Sequence, residues 1–284
     1  SGETTDTLQI NSAGTYIATV TNNGCAITDS IVKACAMYVD SLNGDDINGD
    51  GSELAPYATI QTAIDSAVAG QSIYVAPGIY VENLNINKPV RILSQHITDN
   101  DSLARYTTII KGRIESYDAF SSDRNSFWIG GFQIDQTNSY NAGLRIENYS
   151  AQFQADKGLL ISSSDIKVPN SEVSIYTSNV KLTVENVTFT GSNSSYVLGI
   201  NGEQALFDKT TFSVDVTSNY SANLISLNNT EAEFKNSIIQ LIGNEQKAFN
   251  VSDGSELRFV QSTMYADSAV EATAFNAYSY SNPT

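Results

Sequence analysis

The sequence has little of what metal, redox or disulfide chemistry requires. Its 284 residues include one His, two Cys, two Met and one Trp. A single His is more often a surface or turn residue than a ligand or a base, so His96 supports neither a metal centre nor a general base. Two cysteines are too few to define a disulfide framework, which excludes the disulfide-rich scaffolds of small secreted proteins.

The two cysteines are also poorly placed to pair with each other. Cys25 and Cys35 are ten residues apart, and on one continuous strand that separation is on the order of 30 Å. A cysteine upstream of Ser1 is one candidate partner for Cys25, which is one reason to expect a fragment. The sequence also begins without a basic-then-apolar secretion signal, so we expect a mature or trimmed chain.

Long apolar runs and positive charge are scarce as well. No apolar run approaches the roughly 20 residues of a membrane-spanning helix, which argues against membrane insertion. Charged residues make up only 16% of the chain, and the formal net charge is -16. An acidic surface argues against nucleic acid or anionic lipid as the main partner. Ser, Thr and Asn supply the polar surface instead, as expected of an extracellular β-rich protein.

Residues 57–94 combine a helical pattern with a strand pattern. Thr59 suits an N-cap and Gly70 suits a helix stop, so we predict a short amphipathic helix over about residues 59–69. Its apolar stripe at helical spacing consists of Ile60, Ala63, Ile64, Ala67 and Val68. From residue 73 onward the period changes, and we predict short strands separated by tight corners such as Pro77-Gly78.

Three segments of this stretch, TIQTAID, SIYVAPGIYVENLNI and KPVRIL, resemble the N-terminal cap and first coil of secreted right-handed parallel β-helix proteins, the pectin-lyase-like fold. In that family a helix plugs the open end of the solenoid. The physics agrees, because a stack of coils exposes its interior and its strand edges at each end unless something covers them. The resemblance covers roughly residues 37–94 and predicts the fold rather than the function.

A six-residue repeat continues the pattern further along the chain. Its copies are IGGFQI (129–134), ISSSDI (161–166), VENVTF (184–189), FDKTTF (207–212), FKNSII (234–239) and FVQSTM (259–264). The last five begin at intervals of 23, 23, 27 and 25 residues, the length expected for one coil of a parallel β-helix. Four of the copies are preceded by a second predicted strand, at 173–175, 197–200, 224–227 and 249–251.

Each copy must contain a corner. Its two apolar ends are five residues apart, so in one straight strand they would point to opposite faces. The expected corner residues are Gly131, Ser163, Asn186, Lys209, Asn236 and Gln261. Gly and Asn accept the left-handed conformation that such a corner needs. Lys209 and Gln261 fit this requirement less well, so we expect those two corners to differ.

The N-terminal region has a separate character. Residues 14–20 and 25–32 alternate in polarity and are joined by Asn22-Asn23-Gly24, a strong hairpin signal. The segment AGTYIATVTNNGCAITDSIV resembles the last two strands of Ig-like repeats in large secreted bacterial surface proteins. We therefore predict two domains, with residues 1–36 as the C-terminal strands of an Ig-like domain and residues 37–284 as the β-helix, all within a longer multidomain chain.

An acidic loop, which we define as residues 40–57, precedes the predicted helix. Asp46, Asn48 and Asp50 match the start of a calcium loop, in which alternate oxygen-bearing side chains converge on the ion. The twelfth position of that motif calls for a bidentate Glu but is occupied by Tyr57. Calcium is therefore one alternative, and a simple turn before the helix, which the β-helix resemblance implies, is the one we favour.

No catalytic cluster is evident along the chain. Many pectin-lyase-like proteins bind or cleave acidic polysaccharides with clustered carboxylates and an Arg or Lys base, or with paired Asp residues. Here the basic residues and the aspartates fall at scattered repeat positions. We favour a structural role for the tyrosines near the predicted corners, as half-buried residues that cover the coils, and a glycan-binding strip that stacks on sugar rings would use some of them. These tyrosines are Tyr140, Tyr149, Tyr176, Tyr196, Tyr220, Tyr278 and Tyr280.

We predict from this pattern a non-catalytic extracellular or cell-surface module that acts as a rigid stalk or adhesin, with a polysaccharide or surface glycan as partner. The alternative is a polysaccharide lyase or glycoside hydrolase whose site is assembled across coils. Three or more carboxylates that converge in one groove with an Arg or Lys would favour the enzyme.

Overall fold

The computed structural model describes residues 14–22, 25–33, 36–99, 104–117, 127–136, 143–147, 158–167, 174–192, 197–215, 223–242, 246–267 and 272–278. The helices in these ranges are α1 (Ile60–Ser66), α2 (Gln95–Thr98) and α3 (Ala104–Thr107). The strands are β1 (Gly14–Asn22), β2 (Cys25–Lys33), β3 (Met37–Val39), β4 (Ser72–Val75), β5 (Gly78–Val81), β6 (Leu84–Asn85), β7 (Arg91–Ser94), β8 (Thr108–Lys111), β9 (Ile114–Tyr117), β10 (Phe127–Gly130), β11 (Gln133–Asp135), β12 (Leu144–Glu147), β13 (Gly158–Ser162), β14 (Asp165–Lys167), β15 (Ile175–Ser178), β16 (Lys181–Glu185), β17 (Thr188–Ser192), β18 (Leu198–Asp208), β19 (Thr211–Asp215), β20 (Asn223–Lys235), β21 (Ile238–Ile242), β22 (Gln246–Ser252), β23 (Glu256–Val260), β24 (Thr263–Asp267) and β25 (Ala272–Tyr278). None of the described helices has the length and apolar character that a membrane crossing requires.

The coil strands stack in parallel on three faces of a solenoid. Face 1 consists of β3, β4, β7, β10, β13, β16, the second halves of β18 and β20, and β23. Face 2 consists of β5, β8, β11, β14, β17, β19, β21 and β24. Face 3 consists of β6, β9, β12, β15, the first halves of β18 and β20, β22 and β25. The chain passes through the faces in this order repeatedly, which confirms the predicted parallel β-helix.

The six-residue repeat forms the corner between face 1 and face 2. Its apolar ends are in register from coil to coil, as in Phe207↔Phe234 on face 1 and Phe189↔Phe212 on face 2. These side chains are buried, because the chain bends between them. The φ angle is positive at every predicted corner residue: 85° at Gly131, 46° at Ser163, 54° at Asn186, 51° at Lys209, 49° at Asn236 and 50° at Gln261.

The expectation that the corners at Lys209 and Gln261 would differ is therefore wrong. The corner backbone is tied to the next coil, since the Lys209 N–H donates to the Lys235 carbonyl at 3.0 Å and the Asn236 N–H donates to the Val260 carbonyl at 3.0 Å. The stack of coils thus imposes the left-handed conformation whatever the local preference. A second left-handed corner joins face 3 to face 1, at residues such as Asn229 (φ 48°), and was not predicted.

The predicted capping helix is present but shorter than expected. Thr59 is its N-cap, as predicted, and its hydroxyl accepts a hydrogen bond from the Thr62 N–H. The helix ends at Ser66 because Ala67 turns to an extended conformation. Val68, which was assigned to the apolar stripe, is 55% exposed as a result. The buried side of α1 packs against β3, β4 and β6 and covers this end of the core.

Two regions of the chain lie outside the regular coils. Strands β1 and β2 pair antiparallel from Gly14↔Lys33 to Asn22↔Cys25, which confirms the hairpin. The turn residues Asn23 and Gly24 lie outside the described residues, and so does Cys35. The Ig-like assignment of residues 1–36 stays a prediction. The short helices α2 and α3 lie between β7 and β8.

One buried hydroxyl gives a direct test of the core. Thr177 is completely buried on face 3, and its Oγ1 has no hydrogen-bond partner among the described residues. Replacing Thr177 with valine keeps the shape and removes the desolvated hydroxyl, so the free energy of unfolding should rise by about 1 kcal/mol in urea denaturation. The matched control is Thr230→Val, which should destabilise, because the Thr230 hydroxyl donates to the Asn228 carbonyl at 2.9 Å. A Thr177→Val variant less stable than the wild type would contradict this assignment.

Candidate functional site

A groove lies on the outer side of face 1 at the capped end of the β-helix. Its volume is approximately 420 Å³, within the range of small-molecule sites. Three segments line it: strands β3 and β4 form the floor, the acidic loop forms one wall, and α2 with the residue that follows it forms the other. We call it the tyrosine groove, after Tyr38 and Tyr74 on its floor.

The register of the first two face 1 strands places these tyrosines side by side. Strand β3 pairs with β4 in parallel, with Tyr38 opposite Tyr74. The neighbouring Val39, Ile73 and Val75 are buried in the core, so strand alternation directs both tyrosines outward. Their ring centroids are 5.5 Å apart at an interplanar angle of 83°. This edge-to-face arrangement is a favourable one for aromatic pairs, and it gives the groove a half-buried aromatic floor.

The acidic loop begins with two successive copies of one five-residue turn. In the first copy, Asp40 Oδ1 accepts the N–H groups of Leu42 at 2.9 Å and Asn43 at 3.2 Å, and Asn43 Nδ2 donates to Asp40 Oδ2 at 2.9 Å. Asp45 and Asn48 repeat these contacts five residues later. The signal for these turns is visible in the sequence as D-x-x-N-G at residues 40–44 and 45–49.

Asp46, the first predicted calcium ligand, fastens this loop to the start of α1. Its Oδ1 accepts the N–H groups of Ala58 at 2.8 Å and Thr59 at 3.1 Å, and its Oδ2 accepts the Thr59 hydroxyl at 2.9 Å. From the other side Glu82 accepts the N–H groups of Ile60 and Gln61 at 3.0 and 2.9 Å. Burial raises the pKa of Glu82, and these two hydrogen bonds oppose the shift. Asp46 and Glu82 therefore fix the acidic loop and the capping helix to each other at the start of α1.

The other two predicted ligands have different partners. Asn48 Nδ2 donates to Asp45 Oδ2 at 2.7 Å, and Asp50 Oδ1 accepts the Ser52 N–H at 2.9 Å. Within the described ranges, no three His, Cys, Asp or Glu side chains are grouped so as to hold a metal ion. Calcium binding by Asp46, Asn48 and Asp50 stays a prediction, and the observed contacts are those of turns and a helix cap.

The opposite wall depends on two glycines. The Ser94 hydroxyl accepts the His96 N–H at 3.2 Å as N-cap of α2 and donates to the Gly131 carbonyl. A Cβ added at Gly130 or Gly131 would lie 3.3 or 3.0 Å from Ile97 Cγ1, so larger residues would press α2 away from face 1. The double glycine in IGGFQI, where the other copies of the repeat have larger residues, was the signal for a helix packed at this position.

The rim of the tyrosine groove is acidic. Asp40, Glu53 and Asp99 line it, and none of the described lining residues is Lys, Arg or His. Burial acts to raise the pKa of Asp40, but the hydrogen bonds from the Asn43 side chain and from the backbone N–H groups of Leu42 and Asn43 outweigh it, and that pKa lies below its ordinary value. Asp40 is therefore ionised at neutral pH. The groove thus holds the three carboxylates that an enzyme site was expected to show, without the accompanying Arg or Lys.

Two of the described arginines lie at face 3, Arg113 just before β9 and Arg145 on β12. Arg113 pairs with Glu115 at 3.1 Å, and Arg145 pairs with Glu147. The Arg145 guanidinium also lies 5.3 Å from the ring centroid of Tyr176, one of the tyrosines predicted to lie near corners. The predicted tyrosines outside the described residues are Tyr140, Tyr149, Tyr196, Tyr220 and Tyr280. The aromatic pair that does line a groove, Tyr38 and Tyr74, was not predicted.

One sequence family matches most of the chain, and two solved structures are similar to it at low identity. Residues 42–256 match a sequence family described as "Protein of unknown function (DUF1565)", and none of the curated proteins matches. Among solved structures, a rhamnogalacturonan lyase is 14% identical with a TM-score of 0.42, over 79% of this chain and 73% of that chain. The A-module of the Azotobacter vinelandii mannuronan C-5 epimerase AlgE6 is 11% identical with a TM-score of 0.29, over 79% of this chain and 95% of that chain. Because the family match spans most of the chain, from the acidic loop to β23, the chain belongs to the family described as "Protein of unknown function (DUF1565)".

Proposed function

We propose that this chain is a non-catalytic, extracellular or cell-surface glycan-binding module, a stalk or adhesin segment that holds a saccharide in the tyrosine groove. The observation that carries the proposal is the pair of outward-facing rings, Tyr38 and Tyr74, on the floor of a concave site. Aromatic rings present an apolar face with a polar hydroxyl at the edge, which suits a sugar ring with its apolar C–H face and its rim of hydroxyls.

The walls supply what a sugar needs beyond stacking. Gln95 and Thr98 on one side and Asp40 on the other provide hydrogen-bond donors and acceptors around the floor. The turn hydrogen bonds of Asp40 and the N-cap of α2 fix both walls before a ligand arrives. Such preorganisation lowers the entropic cost of binding. The continuous core of the coils would give the module the stiffness of a stalk.

Tyr74→Ala should weaken saccharide binding about tenfold, since stacking on a half-buried ring contributes on the order of 1 kcal/mol or more. A glycan array on the wild-type chain identifies a ligand, and titration calorimetry then compares the variants. The matched control is Tyr265→Ala, which removes an exposed tyrosine on face 2 and should leave the affinity unchanged. Equal affinity of wild type and Tyr74→Ala would refute binding at this groove.

A second candidate function rests on the three carboxylates of the rim. Asp40, Glu53 and Asp99 in one groove meet part of the condition for a polysaccharide lyase or glycoside hydrolase. The assay is the release of new reducing ends or unsaturated products from polysaccharides. Activity that is lost in Glu53→Gln, with binding retained, would favour the enzyme over the binding module.

A further inference from the structure

The charge of the tyrosine groove sets a preference among sugars. Its three carboxylates come from two separate segments: Asp40 and Glu53 belong to the acidic loop, and Asp99 follows α2. The carboxylates therefore stand on both walls, with the aromatic floor between them. A ligand on the floor lies between negative charges on either side, and the lining residues described include no cation to offset them.

This arrangement discriminates against acidic sugars. A uronate placed on Tyr38 and Tyr74 would add another carboxylate between the walls, on a chain whose formal net charge is already -16. Like charges brought together in a concave site raise the cost of binding, and this cost rejects the wrong ligand. Among the described arginines, Arg113 before β9 and Arg145 on β12 are paired with glutamates at face 3, and Arg91 on β7 of face 1 does not line the groove.

A positively charged group is favoured by the same arrangement. An ammonium ion near the rim gains from the carboxylates, since a concave surface of one sign focuses its field on the opposite charge. A tyrosine ring adds to this attraction, because the face of an aromatic ring attracts a cation. Asp40 is held in place by its turn hydrogen bonds, so its charge needs no rearrangement to act.

We infer that the tyrosine groove binds an amino sugar with a free ammonium group, a glucosamine-type residue of a cationic polysaccharide. This inference rests on the proposed glycan-binding function and names its substrate class. The sugar ring lies on the tyrosine floor, and the ammonium group faces the carboxylates of the rim. Selectivity comes from the charge and affinity from the ring.

The test compares oligosaccharides of equal length by titration calorimetry on the whole chain: a chitosan oligomer, the same oligomer fully N-acetylated, and an oligogalacturonate. The chitosan oligomer should bind at least about tenfold more tightly than its acetylated form, and the oligogalacturonate should bind least. Added salt should weaken chitosan binding and leave binding of the acetylated form nearly unchanged.

Charge variants separate the groove from the general acidity of the chain. Glu53→Gln should weaken chitosan binding several-fold and leave the acetylated oligomer unaffected. Glu256→Gln removes an equivalent charge from exposed β23 and should change neither. If Glu256→Gln weakens chitosan binding as much as Glu53→Gln does, the attraction is diffuse and the inference falls.

The remaining outcomes separate this inference from the proposed function. If the acetylated oligomer or the oligogalacturonate binds as tightly as chitosan, and Tyr74→Ala abolishes that binding, the groove is a glycan site and the amino-sugar preference is wrong. If Tyr74→Ala changes the binding of none of the three, and a glycan array yields no other ligand, the proposed function itself fails.

Discussion

Replacing Phe234 with alanine should lower the free energy of unfolding by about 4 kcal/mol, the largest effect that we expect from a single truncation of the core. Phe234 is completely buried at the apolar end of a six-residue repeat. Its ring stacks on Phe207 of the preceding coil at 4.4 Å and on Phe259 of the following coil at 5.4 Å. Truncation therefore leaves a cavity that borders two other coils, and the rigid strands around it leave little room to collapse.

Urea denaturation followed by circular dichroism measures this loss. Phe259→Ala is the matched control, because Phe259 continues the same stack but is 37% exposed, so its truncation should cost only about 1–2 kcal/mol. Phe234→Asp should be still more damaging, since it buries an unpaired charge, and the neighbouring coils should unfold together. Equal stability of Phe234→Ala and Phe259→Ala would contradict the predicted stack of coils.

Gly44→Ala should cost about 3 kcal/mol and also abolish saccharide binding in the tyrosine groove. A Cβ at Gly44 would lie 2.2 Å from the Tyr57 carbonyl oxygen and 2.5 Å from the Asp40 carbonyl oxygen. Both obstacles are backbone atoms and cannot rotate away as a side chain can. The first five-residue turn must therefore open, and Asp40 with the wall it supports moves away from the floor.

The control for Gly44→Ala is the same substitution at Gly254. Gly254 has φ 75° but open space where a Cβ would be, so the alanine should cost only about 1 kcal/mol of backbone strain and leave the groove intact. Thermal unfolding compares the stabilities, and calorimetry with a groove ligand compares the binding. If Gly44→Ala binds as the wild type does, the loop can adjust around the methyl group and the first turn does not hold the wall.

The positions of the corners could be predicted from the spacing of the buried residues. Two buried positions separated by an odd number of residues force a bend, and this requirement holds for Lys209 as for Asn236. At Lys209 the hydrogen bonds between coils outweigh the local conformational preference of the residue. Val68 shows a different limit: helical spacing marks a stripe but does not show that Ala67 ends the helix.

The groove was harder to predict than the fold. Its floor requires that β3 pairs with β4 across the acidic loop and α1, and only this pairing brings Tyr38 beside Tyr74. Each tyrosine alone is an ordinary residue of a half-exposed strand. The acidic rim likewise joins two segments that are far apart in the sequence, the acidic loop and Asp99 after α2. No pattern along the amino-acid sequence marks such a site.

The order of faces and corners also makes one side of the solenoid adjustable. From β10 onward the spacing across the corner between face 1 and face 2 is constant, with Phe189 following Val184 and Phe212 following Phe207 by five residues. Between face 2 and face 3 it varies: Leu198 follows Phe189 by nine residues, whereas Ile225 follows Phe212 by thirteen.

Chain length can therefore change along that junction without altering the pitch of the coil, which is set by the strand spacing of about 4.8 Å. A designer could insert one foreign peptide into each coil at this junction, and the peptides would form a row with the spacing of the coils. Evolution has the same freedom, so relatives with equal numbers of coils can differ greatly in girth along this edge.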